Sequence, residues 1–238
     1  MAKKNNPKNG GGAIAPAPTD TAVTVQVVLD RSGSMSSIRG ATIEGFNAFL
    51  AEQRALAGAR FGLTQFDHDG GKPCIDVVYA DVPVESVAPL TEATYRPRGG
   101  TPLYDAIGVT IAALEGRNLS GRVVFVIITD GEENQSREWN DKTVLAKIAE
   151  KRAAGWEFVY IGANVDAYVA SAALGIPAQS TLQYDSTDLS TKRAFAGVSR
   201  ATTSYRSGHT AAMRIDQAMA EEPAEPASTT KRTWQSPR

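Results

Sequence analysis

The stretch Val25–Phe46, VQVVLDRSGSMSSIRGATIEGF, begins as an apolar, β-branched run and ends with apolar residues at helical spacing. Between the two lie eight residues, Asp30–Ser37, that hold one aspartate, four serines and a glycine. A buried strand that passes into a helix through a polar tip is the building unit of an α/β sheet, and such sheets bind ligands beyond the carboxyl ends of their strands. Small oxygen-bearing side chains at such a tip suit a nucleophile, a phosphate site or a metal ion. The rest of the chain has to separate these.

Working outward, Val23–Asp30 is nearly all apolar, as a strand covered on both faces should be. Ile38, Phe46, Phe49, Leu50 and Leu56, with Ile43 nearby, predict a helix that Gly58 stops. A second strand is expected over Ala59–Asp67 and a third over Cys74–Ala80; the glycine-rich turn between them makes an antiparallel hairpin the simplest link. Pro102 suits the first turn of a helix that carries Leu103, Ile107, Ile111 and Leu114 on one side. Arg122–Asp130 is the most hydrophobic strand and is expected at the centre of the sheet. Asn140 or Asp141 caps the next helix, which ends at Gly155. A strand (WEFVYIGA), a short helix (VDAYVASAALG), a short strand (STLQYD) and a last helix from about Leu189 to Tyr205 complete the pattern. The alternation predicts a doubly wound, Rossmann-like α/β fold with a mostly parallel sheet, one antiparallel strand and helices on both faces. One domain is expected over 21–215, between disordered tails at 1–20 and 216–238.

The chain of 238 residues is 42% hydrophobic, enough for one large core, and its formal charge of −1 gives no sign of a nucleic-acid partner. Cys74 is the single cysteine, so no intrachain disulfide forms. The early lysines lead into Asn, Pro and Gly, not into the apolar run of about 7–15 residues that a signal peptide needs. No apolar run approaches the roughly 18 residues of a membrane helix. A cytoplasmic location without membrane contact is the expectation.

Three tips carry the chemistry. The first strand ends in Asp30-Arg31-Ser32-Gly33-Ser34, the most apolar strand ends in Thr129-Asp130-Gly131, and Gly99-Gly100-Thr101-Pro102 precedes a helix. If the two strands are parallel neighbours their tips converge, and the Gly-Gly-Thr loop needs only to arch over them. The collected set is Asp30, Asp130, Ser32, Ser34 and Thr101, all hard oxygen donors. The lack of imidazole and thiolate disfavours zinc and copper, and a compact oxygen site favours Mg²⁺, with Mn²⁺ as the alternative. A serine nucleophile fits less well: Arg31-Ser32-Gly33-Ser34-Met35 is not a Gly-x-Ser-x-Gly elbow, and His68 and His209 are expected in a turn and near a frayed end. No phosphate-loop motif occurs, although the backbone N–H groups of GGTP could take an anion. Asp67, His68 and Asp69 read as hairpin polarity, and Cys74 as the start of an apolar strand.

At these residues the chain resembles the von Willebrand factor A (vWA) domain family. DRSGSM, GGTPLYDAI and VIITDGEEN match in order the segments of that family's metal-ion-dependent adhesion site (MIDAS), and the resemblance covers about Thr21 to Gly208. The region around YRSG resembles bacterial and phage members more than animal adhesion proteins. The resemblance implies a six-stranded sheet whose third strand is antiparallel. It implies that Ser32, Ser34 and Thr101 coordinate the metal directly, with Asp30 and Asp130 acting largely through water. The rim that a partner meets is expected to include Arg31, Gly100, Glu132 and Glu133. The function expected is a Mg²⁺-dependent protein-binding module, an adaptor or assembly factor with no catalytic residues, whose metal takes an Asp or Glu carboxylate of a protein partner. The alternative is a metal-dependent hydrolase, acting by phosphoryl or acyl transfer at the same site.

Overall fold

The computed structural model describes residues 22–221 apart from 118, 120, 164 and 165, so the expected tail at 1–20 and most of that at 216–238 lie outside the described residues. Strand β1 (Val23–Asp30) is buried along its whole length. It lies parallel to β2 (Ala59–Asp69) on one side and to β4 (Arg122–Thr129) on the other. With β3 (Lys72–Pro83), β5 (Glu157–Ala163) and β6 (Thr181–Tyr184) the sheet order is β3-β2-β1-β4-β5-β6. Only β3 is antiparallel to its neighbour, through the hairpin turn at Gly70 and Gly71, both of which adopt positive φ. The doubly wound α/β sheet read from the sequence is the sheet observed.

Side chains alternate across this sheet with the period of two that a strand imposes. Val25, Val27 and Leu29 of β1 and Val124, Val126 and Ile128 of β4 face one core, which is covered by α1 (Arg39–Arg54), α5 (Asp188–Arg206) and α6 (Ile215–Ala220). Val28, Phe125 and Ile127 face the other, covered by α2 (Leu103–Glu115), α3 (Asp141–Ala153) and α4 (Ala167–Ala173). Asn140 is the cap of α3: its Oδ1 accepts from Thr143 N at 3.1 Å and Thr143 Oγ1 accepts from Asn140 N at 3.0 Å. No helix among the described residues is long and apolar enough to cross a membrane.

Besides β2 ending at Asp69 and β3 beginning at Lys72, each two residues beyond the expected end, three boundaries differ from the expectation. A 3₁₀ segment, Gly33–Ile38, separates β1 from α1. β3 runs past Ala80 to Pro83 because Asp81 adopts φ 52°, held there by Arg60 Nε at 2.7 Å and Thr24 Oγ1 at 3.0 Å, so the ladder bends and continues. The domain does not stop at Ile215: α6 begins there and buries Ile215 and Ala218.

The connectivity positions the site. From β1 the chain winds outward through α1 to β2; from β4 it winds the opposite way through α3 to β5. The two central strands are therefore where the winding diverges, and their carboxyl ends border the crevice that such sheets use.

Candidate metal centre

At the end of β1 the Asp30 side chain turns back on its own loop. Its Oδ1 accepts from Ser32 N at 2.6 Å, an Asx turn, and its Oδ2 accepts from Thr129 Oγ1 of β4 at 2.6 Å. The neighbouring strand thus orients this carboxylate across the 1–4 pairing. The Asp30 carbonyl accepts from the hydroxyl of Tyr95, a fully buried ring, at 2.6 Å. Ser32 Oγ and Ser34 Oγ are 3.1 Å apart, and Ser34 Oγ donates to Asp130 Oδ1 at 2.6 Å. Asp30, Ser32, Ser34 and Asp130, drawn from two distant segments, therefore form one connected group.

Thr101 joins from the third segment. A Cβ placed on Gly131 would lie 3.2 Å from Thr101 Oγ1 and 3.7 Å from Ser34 Oγ, so the small residue after Asp130 leaves open the space these hydroxyls border. The loop that carries Thr101 sits against the first: Gly33 N donates to Gly99 O at 3.0 Å and Arg98 N to Arg31 O at 2.8 Å. Gly99 has φ +61°, and a Cβ there would come 1.7 Å from the His68 carbonyl oxygen. We expect Gly99→Ala to cost about 1–3 kcal/mol in urea denaturation, because both the backbone conformation and the packing on β2 forbid it.

The Thr101 and Asp130 loops are fastened together by residues that carry no such role in the sequence reading. Thr101 N donates to Asn134 Oδ1 at 2.9 Å, and Asn134 N returns a bond to Thr101 O at 3.1 Å. Asp105, buried in the first turn of α2, accepts from the backbone N–H groups of Arg137, Glu138 and Trp139. Glu133, expected on the rim, accepts from Tyr104 N, Gln135 N and Ser136 N at 2.7–2.8 Å, so its carboxylate braces the loop. Glu132 is exposed beside it, and Gly100 lies against Asn134 and Gln135, where a Cβ would come within 2.6 Å of the Gln135 side chain.

Arg31, also expected on the rim, is turned inward. Its Nε bonds Asp67 Oδ2 at 2.5 Å and its Nη2 bonds Asp76 Oδ2 at 2.6 Å, and the side chain is largely buried. It ties the β1 tip to the β2–β3 hairpin. His68 is a strand residue of β2 paired with Pro73, not a turn residue.

Both site carboxylates are held above the ordinary range. Burial pushes Asp30 up to about 7, against the opposing hydrogen bonds from Thr129 and Ser32. Burial also raises Asp130, against the bond from Ser34. Asp130 Oδ2 is buried without a hydrogen-bond partner among the described residues. Two poorly solvated carboxylates, one with an orphaned oxygen, beside three hydroxyls and a gap at Gly131, are a donor set that a hard cation fits. Among the described residues no three His, Cys, Asp or Glu side chains converge as a metal site, so an ion here would depend on the hydroxyls.

No family model and no curated protein sequence matches the chain. Solved structures match it in fold. The PilB minor pilin from Streptococcus sanguinis aligns with a TM-score of 0.60 at 11% identity, over 81% of this chain and 63% of that one. Proximal thread matrix protein 1 from the mussel byssus, with a zinc-occupied MIDAS motif, aligns at 0.52 and 13% identity, over 75% of this chain and 45% of its own. The manganese-loaded TRAP protein of Plasmodium vivax aligns at 0.53 and 16% identity, over 69% and 68%. The fold is vWA-like. At these identities the likeness is one of architecture, and the chain spans less than two thirds of the PilB and mussel proteins. In the vWA-like frame the DRSGS tip, the GGT loop and the TDG tip meet at the carboxyl ends of the two central strands.

Proposed function

We propose that this vWA-like domain binds a divalent cation, Mg²⁺ by preference, at the β1 and β4 tips, and that it uses the ion to capture an acidic side chain of a protein partner. The observation that carries this reading is the buried, unpartnered Asp130 Oδ2 within a group of hydroxyl and carboxylate oxygens. Ser32, Ser34 and Thr101 would hold the ion directly. Asp130 would face it through the oxygen left open by Ser34. Asp30, with each oxygen already accepting a hydrogen bond, would orient the serine loop and order water. A bound cation supplies the positive charge that attracts the partner's carboxylate. Neutral hydroxyls cancel none of that charge, and two aspartates held partly through water leave it strongly attractive to an incoming anion. The zinc-occupied and manganese-loaded states of two fold neighbours support a divalent ion in this frame, and the pilin and matrix proteins among them support binding over turnover.

The raised carboxylates give the reading a pH signature. In the metal-free protein Asp30 binds a proton up to about pH 7, whereas its ordinary value is 3.8. Between these values the folded state holds more protons than the unfolded state, so stability should fall as pH rises through that window. Metal binding must expel the proton, so Mg²⁺ affinity should rise with pH up to about 7 and then level. Calorimetric titration of Mg²⁺ from pH 5 to 8, in buffers of different ionisation enthalpy, reads both the affinity and the proton released. Affinity independent of pH, with no proton release, would falsify the involvement of Asp30.

A further inference from the structure

Beside the strand tips lies a cavity of about 280 Å³, between the start of α2, the loop after β4 and α4. It is at the small end of ligand pockets, which run to about 300–1,000 Å³. Leu103, Val169 and Leu174 give it apolar walls, with the Tyr104 ring alongside. Every charged residue that lines it is acidic: Glu132, Glu133 and Asp166. Some exposed acids elsewhere have cationic partners, as Glu115 has Lys147 and Lys151, and Glu44 has Lys192. Glu132 makes no hydrogen bond or ion pair among the described residues, and Asp166 uses Oδ1 to cap α4 at Val169 N. Val169 is 66% exposed and Tyr168 48%, an apolar lip on the same helix.

We propose that this slot receives the side chain of a lysine or arginine of the same partner segment that presents its carboxylate at the strand tips. A long basic side chain matches the slot in both parts. Its aliphatic stem covers Leu103, Val169 and Leu174, and its charged head meets Glu132 and Asp166 beside the Tyr104 ring. An aliphatic occupant would desolvate Glu132 and the second oxygen of Asp166 without offering either a partner, and an acidic one would be repelled. The slot adjoins the candidate metal centre through the chain itself. Leu103 follows Thr101 by two residues and Glu132 follows Asp130 by two, and two residues span at most about 7 Å. A basic residue within a few positions of the captured acid therefore reaches the slot. The pairing of the two contacts rests on the function proposed above; the slot's preference for a cation does not.

The test uses the full chain and blocked peptides in which glutamate is followed, after one, two or three glycines, by arginine or by norleucine. In Mg²⁺ one arginine peptide should bind about tenfold more tightly than its norleucine counterpart, as expected for a partly desolvated ion pair. Glu132→Gln with Asp166→Asn should remove that difference; asparagine still caps a helix, so α4 is kept. In EDTA, N-acetyl-arginine amide should still shift the Leu103 and Val169 methyl resonances. Equal affinity of the wild-type protein for arginine and norleucine at every spacing overturns the slot, as does an arginine advantage that survives in the double variant. If the arginine advantage holds but neither series depends on Mg²⁺, the metal reading fails and the slot stands.

Discussion

Asp130→Asn is expected to lower Mg²⁺ affinity by about 10–100-fold, the loss typical of a metal-site partner, while the metal-free protein becomes no less stable than wild type. The second half of that expectation separates a binding site from a structural network. Asp130 is buried, its carboxyl is raised by burial, and its Oδ2 has no partner among the described residues. Burying a charge costs more than burying a neutral polar group, so a neutral isostere should relieve strain in the metal-free fold. Asparagine can still accept the bond from Ser34 Oγ. Thermal unfolding with and without Mg²⁺ reads both effects. At a hundredfold excess over Kd the ion should add about 2.7 kcal/mol to wild type, and much less to the variant. If the variant is several kcal/mol less stable in EDTA, Asp130 belongs to the scaffold and not to a site.

Arg31→Ala should produce the opposite pattern, a loss of about 3–5 kcal/mol in stability with or without metal. Asp67 is fully buried and takes its shortest ion pair, 2.5 Å, from Arg31. Arg98 also reaches Asp67, at 3.2 Å, but from a half-exposed position that it shares with Asp69. Truncating Arg31 leaves a buried carboxylate with one partial partner and loosens the hairpin that supports the Gly99 loop. Urea denaturation in EDTA measures the loss. A change below about 0.5 kcal/mol, the size of an ordinary surface substitution, would mean that the Arg31–Asp67–Asp76 network carries no structural load.

Arg31 also marks a limit of the sequence reading. Its place in DRSGS put it at the right tip, yet its direction depends on Asp67 and Asp76, which are 36 and 45 residues away. Glu133 is similar: adjacency to Asp130 was visible, but the N–H groups of Tyr104, Gln135 and Ser136 that claim its carboxylate were not. Local features were legible. β1 and β4 are long β-branched runs, and period two assigns their faces once both sides are known to be buried. The parallel neighbouring of β1 and β4, on which the whole site depends, could be stated only as a condition, because strand order is a non-local property. α6 carries no readable period because six residues are too few to show one, and the packing of Ile215, Ala218 and Met219 on the core reveals it. The five oxygen-bearing residues proposed to hold the ion stand out in the sequence because each lies at a strand end or in a loop. Tyr95 and Asn134, which fasten those ends, carry no local signal.

Water-proton relaxation with Mn²⁺ tests the central claim most directly, because it reports an ion that keeps exchangeable water on the protein. The account predicts strong enhancement at one ion per wild-type chain, a fall in that enhancement when a glutamate-containing peptide enters, and no enhancement in the folded Ser32→Ala, Ser34→Ala double variant. Enhancement that is absent from wild type, or unchanged in the double variant, would contradict it.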